Sequence, residues 1–292
     1  MKPAPFEYFS PHSIEEALSL LREHGDDAKL LAGGQSLVPA MNFRVVQPSA
    51  LIDLNRIGEL DYVKQDGGCL RIGAMTRERT LEFEPVVGNW SPLLREAMPH
   101  VAHPQIRNRG TLGGSLANAD PAAELPVVML ALDARLKVRS IDGERWVDAR
   151  DFFSGMFTTA LEPGDLLVEI ELPSQPDRTG WSFLEVAPRA GDYALMGVAS
   201  QITVDESGKC TAAKLVFLNA GDGPVVARQA VTRLHGEFLT EKLVEETAIF
   251  ASQKEINPFG NIHASPDFQR HLAKVLTIRA LQQAFQRAGD VQ

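Results

Sequence analysis

Apolar positions in the first quarter of the chain alternate between helical and strand spacing. Residues 13–24 place apolar side chains on one helical face, and Ser13 and Glu16 have the spacing of a capping box, so a helix is predicted there. A short apolar run over 29–32 ends abruptly at Gly33-Gly34, and a helical turn follows over 35–41. The predicted small α/β unit is completed by strands over 51–54 and 70–73 and by a hairpin at 66–68.

The middle of the chain combines short helices with alternating strands. Its predicted helices cover 76–83, 91–98 and 122–132, and its predicted strands cover 136–138, 145–147 and 166–171. The continuous apolar character of 122–132 predicts that this helix is buried. The polar, irregular stretch 103–110 predicts a loop, and the Pro, Asp, Ser and Gly residues of 173–180 indicate a domain boundary.

The last part of the chain places strands before helices, which is typical of an α+β domain. The predicted strands cover 181–186, 195–204 and 210–219 and form an antiparallel sheet, and the predicted helices cover 225–234, 240–252 and 267–288. In the last helix, Leu272, Val275, Leu276 and Leu281 are spaced for one buried face.

Composition and charge narrow the function classes. The 292 residues are 44% hydrophobic and 23% charged, which predicts a globular chain of two or more domains. The net charge of −9 and the lack of cationic clusters argue against nucleic acid and anionic membranes as partners. The most apolar stretch, 125–132, is too short for a membrane span. With no apolar secretory segment at the N-terminus and only Cys69 and Cys210, a cytoplasmic location is expected.

Several catalytic and metal-binding motifs are missing from the sequence. It contains no GxxxxGK[ST] phosphate loop, no GxGxxG fingerprint and no GxSxG nucleophile elbow. The seven histidines include no HExxH, and neither cysteine lies in a CxxC. The sequence therefore predicts no catalytic residue of its own and no metal or iron–sulfur site.

Two glycine turns are the strongest candidates for a binding site. They read AGGQS over 32–36 and TLGGS over 111–115, and each joins an extended or loop segment to a helical one. Adjacent glycines let backbone N–H groups approach an anion, so a pyrophosphate fits between two such turns. Ordinary turns remain the alternative, because 23 glycines in 292 residues give about two Gly-Gly pairs by chance and three are present.

The sequence around these turns resembles a known family. Residues 103–126 read HPQIRNRGTLGGSLANADPAAELP and residues 30–39 read LLAGGQSLVP, and the chain also contains DLLVEI at 165–170 and GDYALMGVA at 191–199. Together they resemble the FAD-binding subunit of the molybdenum hydroxylases, whose relatives include the carbon monoxide dehydrogenase medium subunit and the flavin domain of xanthine dehydrogenase. The resemblance covers essentially the whole chain.

The resemblance implies an α+β fold in three parts. Residues 1–57 and 58–176 would be the two subdomains of an FAD-binding domain like that of vanillyl-alcohol oxidase. Residues 177–288 would form a C-terminal α+β domain with a three-stranded antiparallel sheet and helices.

The resemblance also implies a set of residues that bind FAD non-covalently. They are Ala32, Gly33, Gly34, Gln35, Ser36, Leu37, Thr111, Gly113, Gly114, Ser115, Asn118, Glu124, Leu167 and Tyr193. The two turns would embrace the pyrophosphate and ribityl chain, and Glu124 would bond a ribityl or ribose hydroxyl. Leu167 would pack near the ring system or adenine, and Tyr193 would lie against or beside the isoalloxazine.

Each side-chain assignment has a structural alternative. Glu124 also fits an exposed first-turn carboxylate that the helix dipole favours, and Tyr193 fits a strand residue that faces the core. Leu167 is a core residue in either interpretation. Arg107 and Arg109 have three candidate roles: they neutralise phosphate, contact a partner chain or are solvated.

Two positions depart from the pattern of the relatives. Gln35 stands where carbon monoxide oxidisers often carry His, which argues against carbon monoxide as the substrate. Glu185 stands where some relatives have a basic residue, so no cofactor contact is assigned to it.

The function that the resemblance implies is electron transfer within a heterotrimer. Electrons would come from a molybdopterin on a large subunit, pass through [2Fe-2S] clusters on a small subunit, and leave through the FAD of this chain to an external acceptor. The substrate would be a small molecule, with an N-heteroaromatic favoured, and the assembly a dimer of heterotrimers. Two alternatives stay open: a stand-alone FAD-dependent reductase or oxidase, and a binding module that has lost its flavin.

Overall fold

The computed structural model describes residues 1–290, and its first unit is a parallel three-stranded sheet. In chain order its elements are β1 (Glu7–Phe9), α1 (Ile14–His24), β2 (Ala28–Leu31), α2 (Leu37–Asn42) and β3 (Ala50–Asp53). The strands lie in the order β1-β3-β2. The predicted capping box is confirmed: Ser13 Oγ accepts from the Glu16 N–H at 3.2 Å, and the Glu16 carboxylate accepts from the His12 N–H at 2.8 Å.

The second unit surrounds a five-stranded antiparallel sheet in the order β4-β5-β10-β6-β7. Its strands are β4 (Val63–Asp66), β5 (Cys69–Gly73), β6 (Arg135–Ser140), β7 (Gly143–Asp148) and β10 (Leu166–Pro173), and a separate hairpin is formed by β8 (Phe153–Gly155) and β9 (Thr158–Thr159). Its helices are α3 (Glu78–Phe83), α4 (Pro85–Trp90), α5 (Pro92–Ala97), α6 (Pro104–Arg107), α7 (Leu112–Asn118), α8 (Glu124–Ala131) and α9 (Ala149–Phe152). As predicted, α8 is buried along its whole length.

Two predictions for this region are wrong. The hairpin of β4 and β5 does not complete the first unit, because β5 pairs with β10, about a hundred residues further along the chain. The stretch 103–110 is not only loop: Pro104 occupies the first turn of α6, where its missing N–H costs nothing, and His103 precedes it with extended backbone. The helix has only four residues, which is too short to show a helical period of apolar positions in the sequence.

The third unit is an antiparallel sheet with helices on one face. It consists of β11 (Thr179–Val186), β12 (Met196–Val204), β13 (Cys210–Leu218), β14 (Val225–Val226), α10 (Arg228–Thr232), α11 (Glu241–Phe250) and α12 (Pro266–Asp290). The three predicted strands are present, and the two-residue β14 adds a fourth where a helix was predicted from residue 225. The α+β class is confirmed.

Two of the three hydrophobic cores connect the units, and the other lies within the third unit. Each of the three larger sheets takes its strands from one of the predicted ranges 1–57, 58–176 and 177–288, but these two cores cross the limits. Within β10, Leu166 and Val168 belong to the core of the first unit, whereas Leu167 belongs to the core of the second. That second core also includes Phe183 of β11, so the third sheet packs between the second unit and α12. None of the helices within residues 1–290 is long and apolar enough to cross a membrane.

The buried face of α12 is formed mainly by small residues. Leu276 and Leu281 are buried as predicted, but Leu272 and Val275 are only half-buried, and Ala273, Ala280, Ala284 and Ala288 complete the face. Small side chains allow the helix to approach the sheet at Gly180 of β11. A Cβ at Gly180 would lie closer than 3.0 Å to backbone atoms of both Ala284 and Ala288.

Gly180→Ala is therefore expected to destabilise the chain by about 2 kcal/mol, because overpacking against backbone forces helix and sheet apart. Urea unfolding of the full chain measures the change. Gly289→Ala is the matched control in the same helix, since a Cβ there meets no atom of residues 1–290 within 4 Å. Equal stability of the two variants would contradict the close packing.

Candidate functional site

The first glycine turn lies at the carboxyl end of the parallel sheet and has free backbone donors. Within residues 1–290 the N–H groups of Gly33, Gly34, Gln35 and Ser36 donate to no protein oxygen. Gly34 has φ +75°, and the side-chain amide of Gln35 donates to the Gly33 carbonyl at 3.0 Å. Together these two features turn the backbone into α2. Asn55 donates to the Ala32 carbonyl at 2.9 Å and fixes the turn to the end of β3. Four successive free amides at such a sheet edge are suited to an anion.

The second glycine turn has mostly used donors. Thr111 caps α7 by accepting from the Gly114 N–H at 3.1 Å, and the Ser115 N–H donates to the Thr111 carbonyl at the same distance. The Gly113 N–H donates to the Ala74 carbonyl at 2.8 Å. This turn therefore has few free amides for a ligand. Its glycines instead let a ligand approach the backbone closely, and the half-buried Ser115 side chain supplies a hydroxyl.

The two turns are in contact, which is what the glycines permit. A Cβ on Gly33 would lie 2.8 Å from the Cα of Gly110 and closer still to the Arg109 carbonyl oxygen, and a Cβ on Gly114 would lie 3.3 Å from the Ala32 Cβ. Arg77 donates to the same Arg109 carbonyl and, at 2.6 Å, to Asn55, so one side chain ties both turns together. The site residues predicted at 32–37 and 111–115 thus form one cleft wall.

Arg107 and Arg109 differ in their surroundings. Arg107 is only 4% exposed, and its guanidinium bonds the Glu82 carboxylate at 2.9 Å and the Val101 carbonyl at 2.8 Å. It is therefore neither solvated nor directed at a phosphate. Arg109 is exposed and lies close to Arg77. The pKa of Arg77 is lowered mainly by the burial of its own guanidinium and further by the charge of Arg109.

Glu124 is buried at the start of α8, so its interpretation as an exposed first-turn carboxylate is wrong. It is 8% exposed, and burial raises its pKa to about 8, with a further rise from the nearby Glu185 carboxylate. Burial also raises the pKa of Glu78 to about 7 and the pKa of Asp120. Glu78 and Glu185 each have one buried carboxylate oxygen without a hydrogen-bond partner in the described part of the chain, and His100 lies 3.4 Å from the other oxygen of Glu185.

The pKa of Glu124 gives a testable pH dependence. Between its ordinary pKa of 4.5 and the folded value of about 8, the folded chain holds a proton that the unfolded chain has lost. Stability must therefore fall as the pH rises through this window, and each unit of pKa difference is worth about 1.4 kcal/mol. In Glu124→Gln we expect a smaller loss of unfolding free energy between about pH 5 and about pH 8.5, by at least about 1.4 kcal/mol, measured by urea unfolding.

The matched control for this experiment is Glu206→Gln, which changes an exposed carboxylate in the turn between β12 and β13. The control should retain the pH dependence of the wild type. A Glu124→Gln variant that also retains it would show that Glu124 is ionised throughout the window.

Tyr193 does not face the core, so that interpretation is wrong. It lies in the connection between β11 and β12 and is 73% exposed. Its pKa is raised by the protein around its hydroxyl and by the nearby charges of Asp120 and Glu124. Tyr193 thus lies within electrostatic range of Glu124.

The remaining two predicted residues occupy different surroundings. Asn118 is half-buried at the end of α7 and precedes Ala119, which has φ +48°. Leu167 is a core residue, as either interpretation requires, and pairs with Val138 of β6. Across residues 1–290, no group of three or more His, Cys, Asp or Glu is arranged to hold a metal ion.

Sequence reasoning missed Asn55, Ala74, Arg77, Glu78 and Asp120. Asn55 and Arg77 reach the turns from segments more than twenty residues away, and no local pattern marks them. Asp120 did carry a signal, since it lies inside the long motif 103–126.

Comparison with protein families gives two matches that together span most of the chain. Residues 4–175 match the family model described as the FAD binding domain in molybdopterin dehydrogenase. Residues 181–284 match the model described as the CO dehydrogenase flavoprotein C-terminal domain.

Individual proteins match over nearly their full lengths. The chain is 41% identical to the 6-hydroxypseudooxynicotine dehydrogenase complex subunit alpha of Paenarthrobacter nicotinovorans, with 99% of this chain and 97% of that one covered. A chain of quinoline 2-oxidoreductase from Pseudomonas putida 86 superposes with a TM-score of 0.93 at 39% identity, covering 99% of both. A chain of carbon monoxide dehydrogenase from Hydrogenophaga pseudoflava has a TM-score of 0.95 at 37% identity, covering 98% of this chain and 99% of that one.

Proposed function

The chain belongs to the family of FAD-binding medium subunits of molybdenum hydroxylases, and from this we propose that it passes electrons from the iron–sulfur clusters of a small partner subunit, through FAD, to an external acceptor. It is an oxidoreductase subunit with an FAD-binding domain. The observation that carries the proposal is the row of four free amides of residues 33–36, packed against the second glycine turn.

The residues of the cleft fit FAD. The free amides suit the diphosphate, and an alanine Cβ at Gly33 would clash with the backbone of Arg109 and Gly110, so the glycine allows the two turns to lie in contact. Glu78 and Glu185 leave buried carboxylate oxygens without partners on the same side of the molecule as Tyr193 and Glu124. Unpaired buried oxygens favour a ligand that brings hydroxyl donors, as the ribityl chain does.

Each part of the cleft receives a role in the proposal. Residues 32–37 hold the diphosphate, and 111–115 with Asn118 approach the ribityl chain. Glu124 bonds a ribityl or ribose hydroxyl, and because it keeps its proton near neutral pH it can donate as well as accept. Leu167 supports the ring system or adenine from the core, and Tyr193 covers one ring face. Bound FAD supplies the exchange between one-electron and two-electron carriers, and the chain supplies binding, orientation and electrostatics.

The proposed partners are a large molybdopterin subunit and a small subunit with [2Fe-2S] clusters, assembled as a dimer of heterotrimers in the cytoplasm. The substrate is oxidised on the large subunit, and we infer a small N-heteroaromatic compound. The match to a quinoline oxidoreductase supports this class, as does Gln35 where carbon monoxide oxidisers often carry His. Steady-state oxidation of quinoline, a pyridine and carbon monoxide by the intact complex tests the substrate class.

One observation favours the stand-alone reductase or oxidase as second candidate. Such an enzyme needs an acid near the flavin, and Glu124, with a pKa of about 8, keeps its proton at neutral pH. The two candidates differ in what the purified chain does alone. A chain loaded with FAD that turns over a small-molecule substrate without partners supports the second candidate.

Purification of the chain with its natural partners tests the main proposal. The absorbance spectrum, flavin released by acid, and iron and molybdenum content are measured on the isolated assembly. We expect one FAD for each copy of this chain, with iron–sulfur clusters and molybdenum on two companion chains. FAD without companions supports the stand-alone enzyme, and an intact assembly without flavin contradicts both.

A further inference from the structure

The connection that carries Tyr193 is held at several points. We define the Tyr193 tip as residues 187–195, between β11 and β12. At its base the Leu195 N–H donates to the Val186 carbonyl at 2.7 Å. Gly191, at φ +85°, lies against the imidazole of His103, because a Cβ there would be 3.0 Å or less from three ring atoms. The tip therefore reaches from the third sheet to the segment before the second glycine turn.

Asn219, directly after β13, contacts both the Tyr193 tip and the turn that precedes Glu124. Its side-chain amide donates to the carbonyls of Ala194 at 2.8 Å and Leu195 at 3.2 Å. Its backbone N–H donates to the Pro121 carbonyl at 2.8 Å. One residue thus links the residue next to Tyr193 with the residue next to Asp120, although these two segments are more than seventy positions apart.

We propose that Asn219 is a positioning residue that holds Tyr193 at a fixed place opposite Glu124, over the site of the flavin ring. Asn219 itself touches neither FAD nor an electron carrier in this proposal. Its flavin part rests on the proposed function, whereas its part about the Tyr193 tip rests on the contacts of Asn219 alone.

The backbone conformation at Asn219 explains why this residue type is needed. Its φ of +53° lies in the left-handed region, which Gly, Asn and Asp tolerate best. Among these three, only Asn also has an amide that donates two hydrogen bonds. Asp would direct a carboxylate at two carbonyl oxygens, and Gly would keep the backbone and lose both donors. Comparison of Asn, Asp and Gly at position 219 therefore distinguishes the contribution of the left-handed backbone from that of the side-chain amide.

Gln269 of α12 supports the same arrangement from the opposite side. It is 1% exposed, and its amide donates to the Leu195 carbonyl at 2.9 Å. Its own side-chain oxygen accepts from the Gly260 N–H at 2.9 Å. The Leu195 carbonyl accepts from both amides, so both of its lone pairs are used. The paired amides of Asn219 and Gln269 favour a single conformation of the tip.

Hydrogen exchange on the flavin-free full chain tests the first part of the proposal. For Asn219→Gly we expect backbone amides of the Tyr193 tip to exchange at least about five-fold faster than in the wild type, since the two hydrogen bonds from the Asn219 side chain to the tip are lost. For Asn219→Asp we expect a larger increase. Asp133→Gly is the control, because Asp133 also has a positive φ, of +51°, but within residues 1–290 its side chain makes only a surface ion pair, with Lys214. Equal exchange in Asn219→Gly and the wild type overturns the proposal.

Flavin fluorescence of the FAD-loaded chain tests the second part. A tyrosine against the isoalloxazine quenches its fluorescence by electron transfer, so Asn219→Gly should raise the emission at least two-fold. The same substitution in a Tyr193→Phe background should change the emission little, because the quencher is already gone. An equal rise in both backgrounds, or no rise in either, overturns the role of Asn219 in placing Tyr193. Failure of the wild-type chain to bind FAD would instead overturn the proposed function, and it is seen before any variant is compared.

Discussion

Gly33→Ala is expected to weaken FAD binding at least 100-fold and leave the chain folded. A Cβ at this position would lie 2.8 Å from the Gly110 Cα and closer still to the Arg109 carbonyl oxygen. Both atoms belong to the backbone, so the clash is relieved only if the two glycine turns separate, and the free amides of 33–36 then lose their place opposite the second turn. A 100-fold loss corresponds to about 2.7 kcal/mol. Fluorescence titration of flavin-free chain with FAD measures it.

The matched control is Gly58→Ala, since Gly58 has open space around it and lies outside the left-handed region. The control should bind FAD like the wild type. Circular dichroism and thermal unfolding establish that Gly33→Ala is folded before its affinity is compared. Wild-type affinity in a folded Gly33→Ala variant would contradict the idea that contact between the two turns forms the site.

Local sequence patterns predicted the elements that depend on near neighbours. Helix α1 follows from the Ser13–Glu16 capping box and one apolar face, and each of its determinants lies within a few residues. Burial of α8 follows from its continuous apolar character. The positions of the two glycine turns also follow from local sequence, because a Gly-Gly pair between a strand or loop and a helix needs no distant partner.

Predictions that depend on distant pairing were less successful. The hairpin of β4 and β5 has the local pattern of any hairpin, and only its pairing with β10 assigns it to the second sheet. Pairing across such a separation leaves no mark in the hairpin itself. Likewise the two glycine turns look equivalent in the sequence. In the structure the Gly113 N–H of the second turn donates to the distant Ala74 carbonyl, whereas the N–H groups of 33–36 donate to no oxygen of residues 1–290.

Tertiary surroundings also decide the charge state of the site. Sequence alone gives Glu124 an ordinary carboxyl pKa and an exposed place at a helix start, where the dipole favours its charge. Burial near Glu185 reverses this and makes the protonated form the stable one near neutral pH. The sequence alone therefore does not predict the protonation state of Glu124.

Arg107→Met is expected to destabilise the chain by about 4 kcal/mol, whereas Arg109→Met, two positions away, should change its stability by less than about 0.5 kcal/mol. Removal of Arg107 takes the buried cation from the nearly buried Glu82 carboxylate, which keeps only the more exposed Arg79, and it takes a hydrogen-bond donor from the Val101 carbonyl. Arg107 also lowers the pKa of buried Glu78, so its loss makes ionised Glu78 still more costly. Urea unfolding of flavin-free chain measures both variants.

The same pair of variants separates a structural role of Arg107 from phosphate binding. Arg107 donates to the carbonyls of 101–102, next to His103, and the Tyr193 tip packs against His103. Arg107 therefore affects FAD binding only indirectly, by stabilising the backbone that supports the tip. Arg109 is exposed and adjacent to Arg77 beside the first glycine turn, where a cation can attract the diphosphate through solvent. The FAD affinity of Arg109→Met should therefore be lower than that of the wild type, with little change in stability. Added salt should lower the affinity of this variant less than it lowers that of the wild type. An Arg107→Met variant with wild-type stability and weakened FAD binding would contradict this division and would assign the phosphate contact to Arg107.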